Sequence, residues 1–347
     1  MRLGIDAVEA AEARVLASFP PEGCDWARCF TARFERANFA SRYHVVYPAI
    51  ALFSVLRRRP ERARELRAVL DVMYEGLVDE RCWRYWHTEL YERSGAIVER
   101  NLTYAGRLAV FVGLYLDAFG DTPSPTIDVD GDRVGYHELS ARLAEQMATS
   151  PSCGVSCYHH ESMVMCNAAL MINNVVHDRL AGTRYADLNE TWMRTVRDEL
   201  VRPADAPTVF FYGTEPGGPA ANPVKASLGM DAWALALLSA VAPTDVAAWY
   251  PAWRAKLRID GDRAWVPVDE RRETPAELAS VEYATAWALV IAAELGDDVT
   301  FERLDRTLAR TAITGFRVDP YLSGLYVLAH HIGPGGLRRL VAEPGPG

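Results

Sequence analysis

The segment Val45-Val-Tyr-Pro-Ala-Ile-Ala-Leu-Phe-Ser-Val-Leu56 puts Val45, Ala49, Leu52, Phe53 and Leu56 on one face through spacings of three and four. That is the period of an amphipathic helix, not the alternation of a strand. The same spacing returns in Leu228, Trp233, Leu235, Leu238 and Val241, while alternating runs are few. Working outward, the pattern predicts helices over 5–18, 25–38, 41–58, 61–78, 97–119, 135–149, 160–181, 185–201, 226–241, 243–255, 275–295, 299–312 and 320–333. Pro60 and Pro151 fall where helices start or stop. Asp128-Val-Asp-Gly-Asp132 and Asp260-Gly-Asp262 read as tight turns or small hairpins, and Glu215-Pro-Gly-Gly-Pro219 is the most conspicuous loop. No long linker divides the chain, so the expectation is all-α: one large domain, a toroid of paired helices. A helical bundle or solenoid is the alternative, although no repeat of fixed period supports an array. In a toroid the inner helices are the more apolar ones, here 160–181, 226–241 and 281–295, and the pocket lies where their ends and loops meet.

With 347 residues, Lys+Arg 37 against Asp+Glu 46 and a net charge of −9, the chain lacks the basic surplus of a nucleic-acid binder. A composition of 50% hydrophobic and 24% charged residues is that of a globular protein. The longest apolar stretches, near Ala232–Ala242 and Tyr283–Ala293, fall short of the roughly 20 residues that span a bilayer. Acidic residues near the amino terminus occupy the place where a signal peptide carries a basic patch, so the expectation is a cytoplasmic protein with no membrane span. Six cysteines in such a chain read as thiols, not as a disulfide framework.

The most informative stretch is Ser152-Cys-Gly-Val-Ser-Cys-Tyr-His-His-Glu-Ser-Met-Val-Met-Cys-Asn-Ala-Ala-Leu170. Cys157 falls near the start of helix 160–181, where the helix dipole and free amides favour a thiolate. Cys166 falls inside that helix on an apolar wall, which keeps a thiol protonated. The pair could thus supply a base and an acid to one site. His159 and His160 could relay protons to Cys157. A cysteine on an apolar stripe is more often a small core residue, the reading preferred for Cys153. Cys153, Cys157, His159, His160 and Cys166 are zinc-type ligands, but their spacing matches none of the paired patterns of zinc sites, so no metal and no other cofactor is expected. Arg107 on helix 97–119 either pairs with an acid such as Glu99 or faces the cysteines, favouring a thiolate and orienting an anion. Asp231 interrupts an apolar helix and needs a partner, Lys225 or Arg254, unless it serves the site by stabilising a cation. Trp86 and Tyr212 are candidates for an aromatic wall and cavity rim.

Gly154-Val-Ser-Cys157 followed nine residues later by Cys166-Asn167 resembles the linalool dehydratase/isomerase family. The likeness continues at His177–Tyr185, Trp83-Arg-Tyr-Trp86, Asn101–Gly106, Trp249–Arg254 and Ala284–Asp297, and covers about Arg42 to Leu340. The resemblance implies an (α/α)6 barrel over 41–347, preceded by a 1–40 helical arm that can reach a neighbouring subunit of a homo-oligomer. It also implies that Cys157 and Cys166 form an acid–base pair for dehydration, hydration and isomerisation of an allylic alcohol, and that Tyr43 matches a pocket tyrosine. Thr103 stands where the family has a pocket methionine, Arg107 where it has a pocket histidine, and Tyr158 where it has a glutamate. For the family's Asp-x5-Tyr pair in the arm the nearest substitute is Asp25. The expected function is that of a cofactor-independent lyase or isomerase that dehydrates, isomerises or cyclises an unsaturated, isoprenoid-like alcohol or carbonyl compound. Cys157, Cys166, Tyr43, Arg107 and His159 would do the chemistry, and Thr103, Tyr158, Tyr212, Asp231 and Trp86 would contact substrate. The alternatives are a non-catalytic barrel holding an anionic apolar ligand through Arg107 and a metal-assisted hydrolase at the Cys/His cluster.

Overall fold

A computed structural model of the chain describes residues 2–24, 26, 42–88, 94–97, 101–157, 161–210, 213–214, 227–268, 280–314 and 319–345. The described residues are mostly helical: α1 (Arg2–Ser18), α2 (Tyr43–Arg58), α3 (Ala63–Val78), α4 (Leu102–Phe119), α5 (Tyr136–Thr149), α6 (Val164–Ala181), α7 (Asp187–Thr195), α8 (Leu228–Leu238), α9 (Pro243–Arg254), α10 (Val281–Leu295), α11 (Asp298–Thr314), α12 (Pro320–Ile332) and α13 (Gly336–Ala342). Short helical turns occupy Glu80–Trp83 and Tyr85–Thr88. Three two-stranded antiparallel ribbons decorate the helices: β1 (Ile127–Val129) with β2 (Asp132–Val134), β3 (Glu161–Ser162) with β4 (Gly213–Thr214), and β5 (Arg258–Asp260) with β6 (Arg263–Trp265).

The even-numbered helices pack in a closed ring, α2 on α4, α4 on α6, α6 on α8, α8 on α10, α10 on α12, and α12 back on α2. Sequence explains which helices go inside. Every residue of α2 from Tyr43 to Leu56 is buried, and α8 and α10 are buried on nearly all faces, as befits helices apolar all round. Helix α3 instead buries a stripe of Leu66, Val69, Leu70, Met73 and Leu77 and exposes its charged face, so it lies outside against α2 and α4. Helices α5, α9 and α11 lie likewise against ring helices, α7 lies beyond α5, and α1 packs on α11 and α12. Thus the described part of the 1–40 segment is seated on its own chain through Ala7, Ala11, Val15 and Phe19.

Because an outer helix brings the chain back between consecutive ring helices, the ring helices run parallel. Their amino-terminal halves meet at one end, where the aromatic residues Tyr43, Tyr47, Trp233, Trp287 and Tyr321 pack on one another. The other end is plugged by α13, which packs on α2, α6 and α12 and whose Leu337, Leu340 and Val341 face Tyr47 and Trp287 across the ring axis. The void left between them is ≈ 20 Å³, so the axis is filled rather than open. Glu294 fastens the plug by accepting the backbone N–H groups of Leu337 (2.7 Å) and Arg338 (3.2 Å).

The periodicity places these helices within a few residues, and both aspartate–glycine turns are hairpin turns. Four differences matter. The expected helix 25–38 lies outside the described residues, apart from Trp26. Residues Val196–Leu200 form a π-helical turn rather than more of α7. The plug α13 was not foreseen, because glycines at 335 and 336 interrupt its pattern. Helix α6 starts at Val164, not 160, since Glu161 and Ser162 pair with β4. In addition, α4 is long and apolar enough, by length and composition, to cross a membrane, contrary to the expectation that no stretch is. It is a ring helix, buried between its neighbours and carrying Arg107 at its inner end.

The ring closes where α12 meets α2, and there Gly324 lies against Pro48: a Cβ at 324 would stand 2.6 Å from the Pro48 Cα and 2.9 Å from its nitrogen. Backbone atoms of a buried helix cannot swing aside as a side-chain tip can. Gly324→Ala is therefore expected to destabilise the protein by roughly 1–3 kcal/mol despite the better helix propensity of alanine. A urea midpoint at or above that of the parent would contradict this close approach.

Candidate active site

Cys166 is the third residue of α6, with Met163 as the N-cap. Cys157 ends the preceding extended segment. Both are buried, at 1% and 0% exposure, and both are free thiols. The loop bearing Cys157 is held to the helix bearing Cys166 by Asn167. Its side-chain oxygen accepts the Val155 N–H (2.8 Å), while its Nδ2 donates to Val155 O (3.1 Å), Ser162 Oγ (3.2 Å) and Met163 O (3.1 Å). Gly154 lets this loop pass Trp192, since a Cβ there would stand 2.4 Å from the indole ring. These constraints bring the two thiols near enough for each to shift the other's proton affinity.

Around Cys166 the donors converge. Thr103 Oγ1 lies 3.5 Å from its sulfur, and Arg107 Nη1 and Nη2 lie at 3.7 and 3.8 Å. Arg107 is oriented by its other bonds: Nε donates to the Tyr47 hydroxyl (3.2 Å) and Nη1 to Thr103 O (3.0 Å). Tyr47 is in turn fixed by the Trp233 indole N–H (2.8 Å), and the guanidinium lies over the rings of Tyr43 (4.9 Å) and Trp233 (5.1 Å). An arginine in this setting stays charged. Burial alone raises a thiol, but the Cys157 hydrogen bond, the Arg107 charge and the Thr103 and Arg107 hydrogen bonds outweigh it and bring Cys166 down to about 6. Burial, the hydrogen bond to Cys166 and the Cys166 charge push Cys157 well above the usual thiol range, against the amide of Met163 and the more distant Arg107.

Arg107 and Thr103 thus address the sulfur of Cys166, and this favours the anion on Cys166 over Cys157, the opposite of the polarity expected from the sequence. The principle that a helix start favours a thiolate holds, but it applies to Cys166, because α6 begins later than the periodicity suggests and puts Cys166 in its first turn.

Among the other expected site residues, Tyr43, Thr103 and Arg107 are at the cysteines. Asp231 is not spent on Arg254, which pairs with Asp297 at 2.8 Å. It accepts the N–H groups of Val209 (2.7 Å) and Phe210 (3.2 Å) and so clips that segment to α8, with burial raising its carboxyl to about 7. Trp86 donates its indole N–H to Ser94 O (2.8 Å), which ties down the turn at 94–97. Tyr158, His159, His160, Tyr212, Glu99, Lys225, Asp25, Cys29 and the loop Glu215–Pro219 lie outside the described residues. Among the described residues no three His, Cys, Asp or Glu side chains are grouped to hold a metal ion. Cys153 is a buried core thiol, as expected, with its sulfur 3.7 Å from Leu188 O.

Arg42, Tyr47, Trp233 and Asn167 were not singled out for the site. Arg42 directly precedes α2, which is buried from its first residue, but the groups that hold its charge come from distant parts of the chain.

Asn167→Ala leaves the Val155 amide without its acceptor and the Val155 carbonyl with Ser162 Oγ alone, and is expected to cost roughly 1–3 kcal/mol. It should also move formation of the Cys166 thiolate, followed by its ultraviolet absorbance, to higher pH as Cys157 is released. An unchanged titration would remove Asn167 from the positioning of the pair.

Among solved structures, the fold is similar to that of an unsaturated glucuronyl hydrolase from Streptococcus agalactiae, with a TM-score of 0.52 over 95% of this chain and 91% of that one. At 10% identity this is a likeness of fold. The family model described as linalool dehydratase/isomerase matches residues 42–317, which include the ring from α2 to α10 and both cysteines. The chain therefore belongs to the linalool dehydratase/isomerase family.

Proposed function

We propose that this protein is a lyase or isomerase that moves protons on an unsaturated, isoprenoid-like alcohol or carbonyl substrate between Cys157 and Cys166, within an (α/α)6 barrel. The barrel reading is supported by the closed ring of six helices, the outer helices against it and the likeness in fold. The observation that carries the chemistry is the convergence of Arg107 and Thr103 on Cys166 beside a second buried thiol, Cys157, with the two thiols displaced in opposite directions. Two neighbouring thiols with separated proton affinities are an acid and a base at the same pH.

For an allylic alcohol, the Cys157 S–H protonates the hydroxyl oxygen, the carbon–oxygen bond breaks and water leaves. The Cys166 thiolate takes the proton lost from carbon. The pair then holds a Cys157 thiolate and a Cys166 thiol, and the hydrogen bond between them returns the proton to Cys157. Arg107 sets the order of events. A full positive charge beside a buried guanidinium is unfavourable, so proton loss to Cys166 accompanies departure of water instead of following it. For a carbonyl substrate the same base abstracts a proton next to the carbonyl, and the cationic surroundings favour the enolate that develops. The aromatic layer of Tyr43, Tyr47 and Trp233 supplies the apolar wall. No step calls on a metal or an organic cofactor.

Cys157→Ala and Cys166→Ala are each expected to lower turnover by a factor on the order of 10²–10⁴ with the helical circular dichroism intact. Substantial activity in either would remove the assigned pair. The ultraviolet thiolate signal of the parent should appear as pH rises through about 6 and be absent in Cys166→Ala. Cys157→Ala removes a donor that favours the thiolate and should shift that appearance to higher pH. A signal that follows Cys157 instead would return the base to the loop.

Exchange of Arg107 for histidine, the residue of the family pattern, tests the cation directly. It should raise the pH at which the thiolate forms and slow turnover near neutrality. Unchanged titration and turnover would assign Arg107 to packing.

A further inference from the structure

Arg42 is 1% exposed and lies in the same layer as Arg107. Its guanidinium is sandwiched between two aromatic rings, with Cζ 4.3 Å from the centroid of Tyr43 and 4.6 Å from that of Tyr85. Tyr85 is held by its hydroxyl, which donates to Asn101 Oδ1 (2.8 Å). Along the guanidinium edge, Nε donates to Thr103 O (3.1 Å) and Nη2 to the Tyr43 hydroxyl (2.9 Å). Nη1 is buried and has no acceptor among the described residues. Thr103 O accepts from Arg107 Nη1 as well, so one carbonyl joins the two cations at the spot where the Thr103 hydroxyl reaches Cys166.

The charge at this spot does not balance. Two guanidinium groups share the Thr103 carbonyl, but only Arg107 has the Cys166 sulfur beside it; the other groups that act on Arg42 among the described residues are tyrosines and the buried Cys82 thiol, and no carboxylate pairs with it. Arg107 is spent on Cys166, Tyr47 and Thr103. What remains is one buried positive charge and one in-plane donor, its two faces already covered by rings. Buried charge without a counter-ion is costly, and a protein retains it where a ligand supplies the partner. The surplus of one charge matches a monoanion, and a single free nitrogen matches a carboxylate oxygen better than a phosphate, which needs several donors.

We propose that Arg42 Nη1 is a docking point for a carboxylate carried by the substrate, so that the enzyme acts on an unsaturated, isoprenoid-like acid. This rests on the thiol-pair reading of the site and deepens it: Arg107 serves the thiolate, and Arg42 holds the substrate beside it. Arg42 is then a specificity residue that the sequence pattern did not mark.

Calorimetric titration of the purified protein with geranate and with geraniol, which share one apolar skeleton, tests the assignment. Geranate is expected to bind about tenfold or more tightly than the alcohol. Arg42→Met should erase that preference while the Cys166 thiolate still forms in the parent's direction, below the ordinary thiol range. Arg42→Lys keeps the charge, shortens the reach and serves if the methionine variant does not fold; it should retain only part of the preference. Equal affinity for acid and alcohol in the parent, binding of neither, or a preference unchanged in both variants overturns the docking point. The thiolate titration separates this from failure of the catalytic pair: a carboxylate preference without a Cys166 thiolate sinks the mechanism and leaves Arg42 as a binding residue.

Discussion

The contact between Arg107 and Cys166 is the interaction on which the site turns. A thiolate in a dry interior is unfavourable, and so is a guanidinium; each is made tolerable by the other and by the hydroxyl and thiol donors of Thr103 and Cys157. Without the cation, burial would hold both cysteines as neutral thiols, and a neutral pair has no base. Without the second cysteine, the anion would lose a neighbour that favours it, and the proposed mechanism its acid.

The scaffold serves this contact by forcing unlike pieces of chain together. Parallel ring helices bring their amino-terminal halves to one end, so the positive ends of their dipoles add to the field that favours an anion there. The opposite end is closed by α13 and held by Glu294, which leaves the axis full and the chemistry confined to one side. At the site itself, precision comes from Asn167, which accepts from and donates to the same residue of the loop, and from Gly154, which allows the loop to pass under Trp192. Near the ring closure, Asp319 caps α12 and lies 3.3 Å from His44 on α2, so a polar contact as well as packing joins the two helices that complete the ring.

Within the family pattern, the departures at 103 and 107 change the surroundings of Cys166. An arginine at 107 in place of a histidine cannot lose its charge at any working pH, so the thiolate does not depend on the titration of its neighbour. Threonine at 103 offers a hydroxyl to the sulfur where methionine would offer none. With Arg42 sharing the Thr103 carbonyl, the surroundings of Cys166 are cationic, which is the basis of the proposed preference for an acid substrate.

Much of this was legible in the order of residues. Apolar spacing alone places the helices and singles out α6, α8 and α10 as inner ones, because a helix with no polar face has to be surrounded. The Gly-x-x-Cys and Cys-Asn motifs mark the two sulfurs. Which sulfur the cation and the helix start favour as an anion was not legible: it depends on where α6 begins, and a strand pairing between β3 and the distant β4 moves that start by one turn. Nor was Arg42, whose neighbours Tyr85 and Thr103 are far along the chain and meet it only when α2 and α4 are side by side in the ring. Local pattern determines which segments must be buried. Proton affinity and charge balance are set by groups brought together from separate helices, and only the tertiary structure decides those.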